Sequence, residues 1–196
     1  MPPEAVLTAL RHVWLTLQPL GLPMAVMGGL ALAAWKYVRA TRDVDILVGI
    51  SPGRIDRVLE HLCAAGVRPK REPPVASLGQ LEIAQLLYEP PEAFLDLQID
   101  LLLGKSAYHD EALRRRIPLS LPGLDIPVAV LTCEDLILHK LLAGRIIDRA
   151  DAAALLRANR AELDLAYLRR WIDGLRLAAE FREAWLSAFP GEDCPI

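Results

Sequence analysis

The sequence predicts an α/β fold of the α+β kind: a small mixed sheet flanked by helices, followed by a helical C-terminal portion. Three observations predict it. Short apolar runs bounded by Pro and Gly recur up to residue 130, as strands do. Stretches of helical periodicity fall between them. From Thr132 onward the pattern is helical throughout. The expected division is a core over residues 1–131 and a helical portion over 132–196.

The elements follow in order. Residues 4–17 place Val6, Leu7, Leu10, Val13, Trp14 and Leu17 at the i, i+3, i+4 spacing of an amphipathic helix, which Pro19 ends. Met24–Met27, between Pro23 and Gly28, reads as a buried strand. Leu30–Val38 is rich in Ala and Leu and predicts a helix starting just after Gly28-Gly29. Asp43–Val48 is the next strand. Ser51-Pro52 supplies an N-cap and a first-turn Pro for a helix to Ala65, with Gly66 as its stop.

Residues 67–80 read as a short strand and a loop. Leu81–Tyr88 and Phe94–Leu102 are two strands joined by the turn at residues 89–92. Ser106–Arg116 is a short helix, and Ile117–Leu121 with Ile126–Val130 a hairpin across Pro122-Gly123. Thr132 with Asp135 forms a capping box for a helix ending at Gly144. A helix from Asp148 or Arg149 to Asn159, and two more over 164–177 and 178–189, complete the chain.

Composition excludes several classes. With 53 % hydrophobic and 24 % charged residues the chain is globular, not disordered. A net charge of −3 argues against a generally basic nucleic-acid binder. The three cysteines, Cys63, Cys133 and Cys194, are widely spaced with no CxxC pair; this fits a reducing, cytoplasmic setting and no zinc site. No charged side chain occurs between Arg11 and Lys36, but Pro19, Pro23 and Gly28-Gly29 interrupt the run. A helix, a strand and a second helix explain it better than a membrane span, and the N-terminus lacks a secretory signal's basic region and cleavage site.

The chemistry concentrates at Asp43 and Asp45. Successive strand side chains point to opposite faces, so these two carboxylates share one face while Val44, Ile46 and Val48 share the other. Two like charges that close repel, and a divalent cation such as Mg²⁺ would remove the conflict. Asp100 sits in the apolar run 97–103, where an unpartnered charge is costly, and is the expected third carboxylate. Asp96, with the same facing, is its competitor. Gly28-Gly29 before a helix lets backbone N–H groups approach a phosphate. Arg39 and Arg42 would offset phosphate charge. Arg157, Arg160, Arg169, Arg170 and Arg176 lie on the C-terminal helices, where an acceptor could dock.

Gly28-Gly29, Asp43-x-Asp45 preceded by Arg-x-Thr-Arg, and Ile99-Asp100-Leu-Leu resemble the DNA-polymerase-β-type nucleotidyltransferases. Within that superfamily the chain resembles the bacterial minimal nucleotidyltransferases related to abortive-infection toxins. The resemblance extends through Glu134–Asp151, where such toxins carry a functional lysine and a downstream aspartate, and covers roughly residues 24–155. The family's usual Gly-Ser turn is Gly-Gly here. The resemblance implies two Mg²⁺ ions on Asp43, Asp45 and Asp100, and a triphosphate on Gly28 and Gly29. It implies that Lys140 contacts the nucleotide phosphates and that Asp148 orients Lys140 or the base. Without it, Lys140 reads as a helix-surface lysine and Asp148 as an N-cap. Counting along the helix turns Lys140 to the side of Leu136, expected to be the sheet and the cleft of Asp43.

The activity implied is Mg²⁺-dependent transfer of a nucleoside monophosphate from an NTP to a hydroxyl on a tRNA end, a protein or a small molecule. An antitoxin protein is an implied partner and a membrane is not. Nucleotidylation of an aminoglycoside-like antibiotic is one alternative. A catalytically silent nucleotidyltransferase fold used for binding is another.

Overall fold

The computed structural model describes residues 3–51, 53–78, 81–91 and 93–196. Two compact units divide the chain: residues up to Ala31 together with Val38–Leu131, and Leu32–Tyr37 together with Thr132–Ile196.

The first unit is built on a mixed sheet, eight-stranded among the described residues. Its strands are β1 (Met24–Met27), β2 (Asp43–Gly49), β3 (Arg68–Pro69), β4 (Val75–Leu78), β5 (Leu81–Tyr88), β6 (Leu97–Gly104), β7 (Ile117–Ser120) and β8 (Pro127–Val130). The order is β3-β5-β6-β2-β1-β8-β7, with β4 also on β5. β2 runs antiparallel to β1 but parallel to β6. The expected hairpin of β7 and β8 forms, and β8 adds to β1 in parallel.

Alternation divides the two central strands. Val44, Ile46 and Val48 of β2 and Ile99, Leu101 and Leu103 of β6 are buried; each such side chain contributes about 1.5–3 kcal/mol. Helix α1 (Glu4–Leu17) buries Val6, Leu7, Leu10, Val13, Trp14 and Leu17, the stripe expected from their spacing, and packs against β2 and β6. It also packs against α3 (Ile55–Ala64).

The other face carries the acids at one end and is covered by a helix, α4 (Ala107–Arg115), at the other. Gly49 and Gly104 are register partners there. A Cβ on Gly49 would lie 3.0 Å from Leu113 and one on Gly104 3.1 Å from His109, so two glycines allow α4 to lie this close.

Several boundaries differ from expectation, three of them near the site-bearing strands. The helix after β1, α2, spans only Gly28–Leu32 and includes both glycines. It tightens into a 3₁₀ turn at Ala33–Trp35 that ends on left-handed Lys36, so no helix reaches Val38. α3 starts at Ile55 with Arg54 as its N-cap residue, and Ser51 supplies only a carbonyl, to Arg54 N–H. Pro52, and Glu92 of the expected turn after β5, lie outside the described residues. β6 starts at Leu97, because Phe94 has a positive φ that a strand does not accommodate.

The second unit is helical: α5 (Cys133–Ala143), α6 (Ile146–Asn159), α7 (Leu165–Leu175) and α8 (Ala178–Ala188). Thr132 Oγ1 accepts from Asp135 N–H to start α5, and left-handed Gly144 closes it. Asp164 caps α7 by accepting from Tyr167 N–H. α6 packs on α5 and α8, and Asn159 at its end donates to the Trp35 carbonyl. Among the described residues no helix is long and apolar enough to cross a membrane. The three cysteines are free thiols, and burial, with Glu134 and Glu162 nearby, pushes the Cys133 thiol up to about 12.

Candidate active site

The parallel register of β2 on β6 sets the site. Asp45 lies directly opposite Asp100, and Asp43 is opposite Gln98. By the period of two, Asp43, Asp45, Gln98 and Asp100 share one face. Asp43, Asp45 and Asp100 are all half-buried. Asp96 stands before β6 and pairs with Arg68, so it is not part of this row.

Neutral polar groups surround the carboxylates. Thr41, itself buried, donates its hydroxyl to Asp43 Oδ1 at 2.7 Å. Gln98 Nε2 lies 2.9 Å from both oxygens of Asp100, and Lys70 Nζ donates to Gln98 Oε1 in turn. Gln85, opposite Asp100 on β5, also hydrogen-bonds it. Burial pushes the Asp100 carboxyl up; the Asp43 charge adds to that, while the two amides and Lys70 oppose it. Thr41, Gln85 and Gln98 carried no signal before the strand pairing was known, since a lone hydroxyl or amide in a strand has no motif.

Gly28 and Gly29 have a local structural role that their sequence does not show. Gly28 has φ +62, and a Cβ there would sit 1.8 Å from Asp45 Oδ2 and 2.5 Å from its Cγ. A Cβ on Gly29 would sit 2.4 Å from Thr41 Oγ1. The pair is a cradle for Asp45 and Thr41. Because α2 has only five residues, its dipole contributes less than the expected long helix would. Arg39 lies beside Gly29, and Arg42 is exposed on the same loop into β2.

Oxygen donors of this kind suit a hard divalent cation. Among the described residues, however, no three His, Cys, Asp or Glu side chains converge closely enough to hold an ion as they stand. The backbone register aligns the three acids, while Thr41 and Gln98 hold Asp43 and Asp100 in their present rotamers.

In the second unit Lys140 is buried and lies 2.8 Å from both Asp148 Oδ1 and Asp151 Oδ2. Arg145 Nε reaches Asp148 Oδ2 at 2.6 Å. Lys140 is therefore not a surface lysine; its ammonium lies against α6. Asp148 is the third residue of α6, not its cap: α6 starts at Ile146, and the Asp148 carboxylate serves Lys140 and Arg145. Burial raises the Asp148 carboxyl, but the hydrogen bonds and charges of Arg145 and Lys140 outweigh it and hold it below the ordinary range. Most of the C-terminal arginines are engaged within this unit. Arg157 donates to the Ser187 and Ala188 carbonyls, Arg160 grips Glu192, and Arg169 reaches the Pro195 carbonyl.

Comparison with known proteins agrees with this architecture. The antibiotic-resistance factor ANT(2'')-Ia is similar at 16 % identity, TM-score 0.56, over 89 % of this chain and 94 % of that one. Its complex with adenylyl-2''-tobramycin is similar at 16 % identity, TM-score 0.54, over 87 % and 98 %. An antigenic nucleotidyltransferase-like protein from Paracoccidioides brasiliensis is similar at 17 % identity, TM-score 0.50, over 89 % and 91 %. At these identities the likeness is one of fold. No curated protein matches the chain in sequence. Residues 8–191 match the family described as nucleotidyl transferase AbiEii toxin, type IV toxin–antitoxin system, and the chain is a nucleotidyltransferase of that family.

Proposed function

We propose that this enzyme moves a nucleoside monophosphate from an NTP to an acceptor hydroxyl, with Mg²⁺ held by Asp43, Asp45 and Asp100. The observation that carries the proposal is the pairing of Asp45 with Asp100 across the parallel strands, with Asp43 on the same face. The acids fit the ion chemically: three hard oxygen donors, one of them with a carboxyl raised by burial and a neighbouring like charge. Two such ions would activate the acceptor hydroxyl and offset charge on the departing pyrophosphate.

The chain's own residues do the rest. The Asp100 carboxylate takes the proton of the attacking hydroxyl. Thr41 fixes Asp43, and the glycine cradle fixes Asp45. Gly28-Gly29 backbone, Arg39 and Arg42 receive the triphosphate. Lys140 contacts the nucleotide phosphates; this role rests on the family resemblance, and the carboxylates of Asp148 and Asp151 orient its ammonium. As a member of a toxin family, the protein has an antitoxin as its partner.

The test incubates the protein with each labelled NTP, Mg²⁺ and cell extract, then separates RNA, protein and small molecules. An aminoglycoside arm is included because ANT(2'')-Ia shares the fold. Label entering one fraction, and lost with EDTA and with Asp45→Asn, is the expected result. No labelling from any NTP, or equal labelling by Asp45→Asn, overturns the proposal.

A further inference from the structure

A second polar cavity opens at the other end of the strands that carry the acids. It has a volume of about 530 Å³ and lies within the first unit. Its floor is the Gly49/Gly104 register pair, where β2 and β6 end side by side. Asp45 and Asp100 lie four residues before that pair, about 13 Å along the strands at ~3.3 Å per residue. In sheets with parallel strands, the crevice outside the carboxyl ends of the strands is the usual place for a ligand. The volume is that of a small-molecule site.

The lining is basic. Arg54, Lys105, Arg114 and Arg116 contribute to it against one carboxylate, Asp110. The whole chain has 25 acidic and 22 basic residues, so this concentration of cations runs against the composition. Two of the four cations are already balanced, Lys105 by Glu82 and Arg114 by Glu111. Arg54 and Arg116 make no ion pair among the described residues; Arg116 donates only to the Leu113 carbonyl. A neighbouring hollow of about 380 Å³ shares Arg54 and adds Arg57, which also makes no ion pair among the described residues. The exposed Ser51 hydroxyl adds a neutral donor to the rim.

Guanidinium groups spaced around a concave site, with a hydroxyl beside them, match a phosphate in charge and in donor geometry. An acidic protein that gathers unneutralised arginines at one crevice raises the local concentration of anions there. We infer that this cavity is a phosphate-binding site, separate from the acid-bearing end, with Arg54 and Arg116 as its principal contacts. The phosphate could be a free anion or one unit of an RNA backbone, and the two sources are separable by experiment.

The test is done in EDTA, where the acids at the other end repel phosphate. Inorganic pyrophosphate is titrated by calorimetry, and a fluorescent ten-nucleotide single-stranded RNA by anisotropy. Binding of either probe that is weakened about tenfold or more in Arg54→Ala/Arg116→Ala is the expected result. Arg11→Ala/Arg182→Ala removes the same charge from exposed positions elsewhere and should leave that affinity unchanged. Pyrophosphate binding identifies a free anion as sufficient; binding of RNA alone identifies the backbone. The inference is overturned if neither probe binds at millimolar concentration. It is also overturned if the Arg54/Arg116 variant binds as the wild type does, or if both double variants lose affinity equally. Arg54→Ala alone, at an exposed side chain, repeats the test should the double variant fold poorly.

Discussion

Two groups of aspartates in this molecule are built on opposite principles. Asp148 and Asp151 are fully buried, and each has a cation: Lys140 bridges both, and Arg145 adds to Asp148. Asp43, Asp45 and Asp100 are only half-buried, and neutral hydroxyl and amide groups do much of the holding. The helical group is close to electrically balanced as it stands. The sheet group is an excess of like charge held in place by the fold, which costs stability. The first group holds its unit together; in the function proposed above the second holds the metal.

The sharpest test separates these roles with two variants. Asp45→Asn is expected to lower nucleotidyl transfer by about 10²–10⁴-fold. Its urea midpoint should be unchanged or higher, since one repelling charge is gone. Lys140→Ala is expected to do the reverse in urea, costing about 3–5 kcal/mol, because it strands two carboxylates inside the helical unit. If Lys140→Ala unfolds at the wild-type urea concentration, the contrast between the two groups fails.

Gly28→Ala tests the cradle. A Cβ there overlaps the Asp45 side chain, and the left-handed backbone adds about 1–2 kcal/mol of strain. The expected result is a loss of that size in urea together with transfer lowered by more than tenfold. Wild-type transfer would mean that Asp45 is not held by the turn.

The smallest effect is the acid limb of the stability curve. The Asp148 carboxyl is held below its unfolded value, so folding favours the ionised form. That contribution is fully present above the unfolded pKa, about 3.9, and fades as pH falls through the lower folded value. Urea midpoints measured from pH 7 to pH 2 should fall more steeply for the wild type than for Asp148→Asn. Parallel curves would refute the assignment.

Much of this was legible in the chain. The alternation of Asp43 and Asp45 with Val44 and Ile46 needs only the strand period, and the Thr132 cap needs only local geometry. The likeness of Asp100 to a third acid followed from the cost of a charge in an apolar run. The partners of these acids were not legible. Gln98 and Gln85 meet Asp100 only through pairing between distant segments, and an amide reads the same in any strand. The local pattern alone reads Asp148 as a cap, because a carboxylate near a helix start looks alike whether it caps the backbone or grips a lysine on the preceding helix; only the family resemblance points to Lys140. The short α2 was missed because its Ala- and Leu-rich sequence favours helix, while the chain turns left-handed at Lys36.

The parallel union of β2 and β6 also has a bearing on time. Asp45 and Asp100 are 55 positions apart (100 less 45), and closing so long a segment carries an entropic cost that only completed pairing offsets. A ribosome that has released the first aspartates has therefore not yet released an active enzyme. In the function proposed above, that delay separates the synthesis of the first acids from their first act of chemistry.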